Sequence, residues 1–312
     1  MTETAKGTVA IIVACMIWGL SPIFYKALSQ IPATEVLAHR ALWSFVLFSL
    51  ILAAQRRLGQ IPAAFSGPRQ SGLICLAALM ISANWFLFIL AVQIDRTTET
   101  SLGYYIFPLI AVLLGRFVLG ERLSPRQWVA IALAAAGVGL MTLALGAAPW
   151  ISLVLAVTFG IYGLIKKRLP LGPVVSVTCE ILLFLPVAIW LLVSGPNHFW
   201  ASADVTLLLI LSGPLTALPL IFFTYGARRV ALSTAGLLQY LNPTLQFVCA
   251  VMLFSEPFGG LHLAAFTLIW SALALYAMSG RARRKADIAA SGEETGVKKP
   301  ASDASANPSA MT

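Results

Sequence analysis

The chain has 312 residues, of which 59% are hydrophobic and only 11% charged, against roughly a quarter charged in an ordinary soluble domain. That balance excludes a soluble globular protein and describes a chain that crosses a membrane repeatedly. The formal net charge of +9 does not point to nucleic acid, because the basic residues sit at the ends of apolar stretches.

A bilayer's hydrocarbon layer is ~30 Å thick, so a helical crossing needs about 20 mostly apolar residues. Ten stretches qualify: 8–28, 35–55, 72–94, 100–119, 127–146, 149–166, 174–194, 205–225, 233–254 and 261–280. Each is predicted helical, since lipid offers no partner to an open backbone group. The expected fold class is therefore an all-α polytopic membrane protein with ten transmembrane helices.

With the N-terminus inside, every Lys and Arg except Lys26, Arg40 and Arg96 falls at a cytoplasmic end. That asymmetry predicts both termini in the cytoplasm and a protein integral to the cell (inner) membrane. The cluster from Arg281 to Lys285 also suits contact with anionic lipid. Residues 281–312 turn polar, with little to bury, and read as a disordered cytoplasmic tail.

The spans are written twice. At an offset of 141, Trp18-Gly19 meets Phe159-Gly160, Lys26 meets Lys167, Pro32 meets Pro173 and His39 meets Glu180. At an offset of 135, Leu102 meets Leu237, Tyr105 meets Tyr240, Pro108 meets Pro243 and Glu121 meets Glu256. An odd number of crossings ends on the side opposite its start, so residues 1–147 and 148–280 are expected to be two inverted five-helix repeats, a frequent build of secondary transporters. The same alignment counts against reading the first span as a cleaved signal, despite Lys6 and the run Ile12-Val13-Ala14-Cys15.

Polar groups within spans are expensive and rare, so each is a candidate. On the first span, Trp18, Ser21, Pro22 and Tyr25 share a face; Tyr25 near the outer end suits an interfacial belt, whereas Trp18, about ten residues in, is a cavity-lining candidate. The second span carries His39-Arg40 near its outer end, then Trp43 and Ser44; Arg40 is placed to snorkel to headgroups. Glu180, the counterpart of His39, is the one acid well inside any span. His39, Arg40 and Glu180 are the gate or coupling candidates, His39 and Glu180 being groups that proton coupling would use. The competing reading has each one only hydrogen-bonding a neighbouring helix.

Spans four and nine give the clearest signature. Ser101, Tyr104, Tyr105 and Pro108 follow the i, i+3, i+4, i+7 pattern, as do Gly236, Gln239, Tyr240 and Pro243, with Asn242 and Gln246 beside them. Aromatic surface and amides around proline breaks at matching positions suggest a central binding site. Trp18, Tyr104, Tyr105, Gln239, Tyr240 and Asn242 are therefore the substrate-binding candidates. Asn84-Trp85 on span three, and Tyr225 with Pro214 and Pro219 on span eight, are weaker ones. Glu121 and Glu256 read as caps or ion-pair anchors. Ala130, Ala134, Gly137 and Gly139 on span five suit close packing, including self-association as a homodimer. Cys15, Cys75, Cys179 and Cys249 have no metal-ligand spacing, and no cofactor is expected.

At these residues the chain resembles the drug/metabolite transporter superfamily, specifically the EamA-type permeases of the RarD family. The likeness is carried by Ile17-Trp18-Gly19 with Pro22, Ala38-His39-Arg40 with Trp43-Ser44, Ser101-Leu102-Gly103-Tyr104 with Pro108, Gly120-Glu121-Arg122-Leu123, Phe159-Gly160-Ile161-Tyr162-Gly163, Glu180, Leu215 to Pro219, Ala227-Arg228-Arg229, Leu237 to Tyr240 with Pro243 to Phe247, and Glu256-Pro257. It implies a ten-helix inner-membrane permease whose relatives export amino acids, metabolites or drugs. Phe107 stands where relatives usually carry Asn, and Ile94 to Glu99 replaces a shorter polar run; an amide lost from one half while Asn242 persists in the other implies an asymmetric, more apolar site.

The expected function is export of a small amphipathic or aromatic metabolite or drug by alternating access, with a small-molecule substrate and the lipid bilayer as partners and a proton as candidate coupling ion. An enzyme is not expected, since the spans hold no HExxH or GxSxG and no clustered His and Cys. The alternative is a non-transporting partner or sensor subunit, which would co-purify with a stoichiometric partner and show no ligand-dependent thermal shift.

Overall fold

The computed structural model describes residues 2–118, 120, 125–145, 149–227, 229, 230, 238–272, 274, 275 and 278, which are helical apart from short connections. In chain order the helices are α1 (Glu3–Ala27), α2 (Ala33–Ala54), a single turn at Gln60–Ala63, α3 (Pro68–Gln93), α4 (Thr97–Val118), α5 (Pro125–Leu145), α6 (Trp150–Arg168), α7 (Pro173–Ser194), α8 (Ala203–Ala227), α9 (Leu241–Val248, prolonged by a wider π turn at Cys249–Leu253) and α10 (Gly260–Ala272). Glu121, Gly236, the cluster from Arg281 to Lys285 and the tail beyond it lie outside the described residues.

Six of these helices, α1, α2, α3, α5, α7 and α8, are long and apolar enough to cross a bilayer, and α6, α9 with its π turn, and α10 are shorter apolar helices. Their apolar residues run all the way round. Leu50, Leu79, Leu143, Val193 and Met252 are exposed while Ile11, Leu52, Ile89 and Phe266 are fully buried, as expected of helices with lipid on one side and protein on the other.

The boundaries follow local chemistry. Pro68 and Pro173 open α3 and α7 at positions where a missing N–H costs nothing. The helices α2 and α3 stop at residues in the left-handed region, Arg56 (φ 54°) and Asp95 (φ 59°), with the next N–H folded back onto the carbonyls of Leu52 and Ala91 at 2.8 Å. The helix α4 begins at Thr97, earlier than its apolar pattern suggests. Glu256 supplies the reason: its carboxylate accepts the N–H groups of Thr97 at 2.6 Å and Thr98 at 2.8 Å, capping a helix N-terminus from a distant part of the chain.

Packing brings α1 against α8 and α9, α6 against α3 and α4, and α2 against both α7 and α8. Glycines mark the closest crossings. A Cβ on Gly213 of α8 would lie 2.5 Å from the Trp43 carbonyl carbon, and Ser44 donates to the Gly213 carbonyl at 3.3 Å. A Cβ on Gly19 would meet Leu245 at 2.7 Å, and one on Gly160 would meet Ile110 at 2.8 Å.

Candidate functional site

Near the start of α2, Arg40 turns inward. It is only 6% exposed, and its guanidinium carbon lies 4.3 Å from the ring centre of Trp85 on α3 and 5.6 Å from that of Tyr25 on α1. It does not snorkel to the surface, because α1 and α3 close over it. Tyr25, which its position near a helix end assigned to an interfacial belt, is 1% exposed and belongs to this buried cluster.

The opposite wall is built on Tyr104 of α4. Its hydroxyl donates to the Asn84 side-chain oxygen at 3.1 Å, and the Asn84 amide donates at 3.0 Å to both the Leu155 carbonyl and the Thr158 hydroxyl. A network in which each polar atom has a partner fixes the Tyr104 ring, which lies 6.0 Å from Phe88 and meets Phe159 edge-on at 5.9 Å. Phe107 also packs on Phe159, at 4.9 Å, and adds apolar wall here.

His39 is 4% exposed and stacks on Phe199 at 5.0 Å, with Trp43 stacked on the same ring at 6.3 Å. Among the described residues, neither His39 ring nitrogen has a hydrogen-bond partner, nor does Nε of Arg40 or Nε1 of Trp43. Asn84 and Trp85, which the sequence ranks as weaker candidates, are thus central. Phe199 and Thr158 escaped sequence reading altogether. Phe199 precedes α8 in a connection, where helical periodicity carries no signal, and a lone Thr within an apolar helix is unremarkable.

Glu180 lies elsewhere and is not solitary. Its carboxylate contacts the Lys166 ammonium of α6, accepts from Ser176 at 2.8 Å and from Tyr162 at 3.0 Å, and is 1% exposed. Lys166 also donates to Ser176 at 2.5 Å. The sequence hid this pair because Lys166 sits in a basic run at a helix end, where topology alone accounts for it.

The α4–α9 face divides. Tyr104 points into the Arg40 cluster, whereas Tyr105 is 1% exposed on the other side of α4, bonded to the Thr244 hydroxyl at 2.6 Å and packed on Phe266 and Trp270. Ser101 donates to the Pro243 carbonyl at 2.7 Å. Asn242 accepts from the Gln246 amide at 2.9 Å, Tyr240 packs against the Tyr105 group, and Gln239 is half-buried. Trp18 lies two turns along α1 from Tyr25, 6.0 Å from Phe223 of α8. Structure therefore brings Arg40 and Tyr104 into one buried cluster and sets Tyr105 and Glu180 apart from it.

Polar ties gather at the ends of α1, α3 and α9 that lie away from the N-terminus. Lys26 pairs with Asp95, Gln93 donates to the Leu28 and Ile31 carbonyls at 2.9 and 3.0 Å, and Glu256 caps α4. Glu35 accepts the His198 N–H at 2.6 Å and lies 2.7 Å from its Nδ1. Among the described residues no three His, Cys, Asp or Glu side chains are grouped to hold a metal ion.

Residues 5–143 match the EamA-like transporter family. A protein named RarD from Streptomyces exfoliatus is 45% identical over 263 residues, which cover 83% of this chain and 84% of that one. The chain belongs to the RarD-type EamA permeases. An uncharacterized transporter of Vibrio cholerae is 38% identical over 89% of this chain and 94% of its own length. A solved crystal structure with 18% sequence identity superposes at a TM-score of 0.59, covering 89% of this chain and 98% of that one, which shows a shared fold. This permease is an integral membrane transporter, and several of its relatives are named as transporters.

Proposed function

We propose that this permease is a secondary carrier that exports a small amphipathic or aromatic metabolite or drug, with Arg40, Trp85, Tyr104 and Asn84 at its solute site and Trp18 further along the path. The observation that carries the reading is the aromatic and amide cluster buried among apolar helices: such groups contribute contact area and fix orientation, and packing alone does not require an amide network there. Gln239, Tyr240 and Asn242 would line the path from the α9 side.

Alternating access would come from two inverted halves, residues 1–147 and 148–280. Support comes from the glycine crossings: Gly19 against Leu245 and Gly160 against Ile110 exchange into one another at the sequence offsets of 141 and 135. The packing of α1 on α8 and α9 likewise exchanges with that of α6 on α3 and α4. Both termini would be cytoplasmic, so reporter fusions at residues 3 and 290 should report the same side. His39 is the better coupling candidate, since its ring nitrogens are unpartnered while Glu180 is engaged by Lys166. The small residues of α5 do not support a homodimer, since Ala130 and Ala134 are buried beside Ala272 and a Cβ on Gly137 would meet Ile269 of α10 at 2.8 Å.

Flux in proteoliposomes tests the reading. Tyr104→Ala combined with Gln239→Ala should abolish transport of a solute that the wild type moves, and unchanged flux would remove the site assignment. Transport indifferent to an imposed pH gradient in the wild type, in Glu180→Gln and in His39→Gln would remove proton coupling.

A further inference from the structure

Among the described residues, nothing balances the charge of Arg40. Lys166 has Glu180, Lys26 has Asp95, Arg96 has Glu99 and Arg229 has Glu3, but no ion pair involves Arg40 among the described residues. The ionisable groups that act on it are the phenols of Tyr25 and Tyr104, and no carboxylate is among them. A cation taken out of water is costly unless it is paired and hydrogen-bonded. Stacking on Trp85 and Tyr25 offsets part of that cost, yet it engages the face of the guanidinium and leaves its edge donors free.

We infer that Arg40 is the recognition group for a monoanionic solute, whose carboxylate its free edge grips while Trp85, Tyr25 and Tyr104 hold the apolar body. The inference rests on the solute-site reading of the same cluster. A planar guanidinium matches a carboxylate with two parallel N–H···O bonds, and its orphaned Nε is one of the donors such a fork uses. One fixed cation balances one negative charge, so a phosphate dianion would leave a buried charge uncompensated. The neighbouring groups are aromatic rings and the Asn84 amide, and the amide's own donors are already spent on Leu155 and Thr158. Selection for an anion therefore falls to Arg40 alone, and selection for an apolar body to the rings around it.

The test uses the full-length protein in detergent at constant chloride. Its melting temperature is followed against benzoate, phenylacetate, indole-3-acetate and hexanoate, each beside its uncharged amide, and against phenyl phosphate. At least one carboxylate should raise the melting temperature with a midpoint at least tenfold below that of its amide. Arg40→Met should erase the response and Arg40→Lys should weaken it, because an ammonium keeps the charge and loses the fork. Without solute, Arg40→Met should melt no lower than the wild type, since it removes an uncompensated charge. The inference is overturned if no carboxylate acts, if amides act equally, if phenyl phosphate acts more strongly, if Arg40→Met still responds, or if the empty variant melts lower, which would make Arg40 a packing residue. Flux separates the two readings: carboxylate binding that needs Arg40 without transport would sink only the carrier reading, whereas transport of neutral solutes unaffected by Arg40→Met would sink only this one.

Discussion

Arg40 and Glu180 are both charged, both buried two turns into a helix that packs against its counterpart, and they have opposite surroundings. Glu180 is met by an ammonium and two hydroxyls, while Arg40 is met by the faces of two rings. At the offset of 141, Tyr25 beside Arg40 corresponds to Lys166 beside Glu180, but Glu180 itself corresponds to His39 and Arg40 to Ile181, so the two charges are not equivalent positions of the repeat. The comparison teaches that burial alone does not identify a functional charge: the saturated one fastens two helices, and the unsaturated one is available to a third party.

The largest effect should come from opening the closed pair. Glu180→Leu strands the Lys166 ammonium and should lower unfolding free energy by about 3–5 kcal/mol in detergent. Adding Lys166→Met should recover most of that, whereas a double variant no better than the single would show that the pair does more than balance charge. Next in size are the crossings that relate the two regions. Gly19→Leu and Gly160→Leu each force a side chain into a neighbour at under 3 Å and should each cost about 2 kcal/mol. Equal losses sharpen the correspondence between halves, and a loss at only one breaks it.

Arg40→Met is expected to go the other way, raising stability by about 1 kcal/mol, because a buried charge is replaced by an apolar side chain of similar length. A decrease would place Arg40 in the same class as Glu180. The smallest effect belongs to Asp95→Asn. Asp95 is exposed and Lys26 partly exposed, so thermal unfolding should shift by less than about 0.5 kcal/mol, and less still at high salt.

The membrane class and the order of helices were legible because apolar run length is a direct record of crossing a bilayer. Arg40, His39, Glu180 and Tyr104 were legible as candidates because polar residues stand out in such runs. Their partners were not. The sequence shows that Glu180 is an acid but not that Lys166 reaches it from another helix, and it shows two adjacent tyrosines without telling which faces Arg40 and which faces Phe266. Adjacent residues on a helix point about 100° apart, so side-chain direction, set by packing, decides between them. Tyr25 was misjudged for the related reason that depth in a helix says little about which neighbours cover it.

Solute counterflow in proteoliposomes tests the central claim most directly. Vesicles loaded with the carboxylate that gives the largest thermal shift are diluted into a trace of its labelled form, for the wild type and for Arg40→Met. The wild type should accumulate label transiently, and Arg40→Met should match protein-free vesicles. Equal accumulation by both proteins would contradict a solute site built around Arg40, and none by the wild type would contradict the carrier reading.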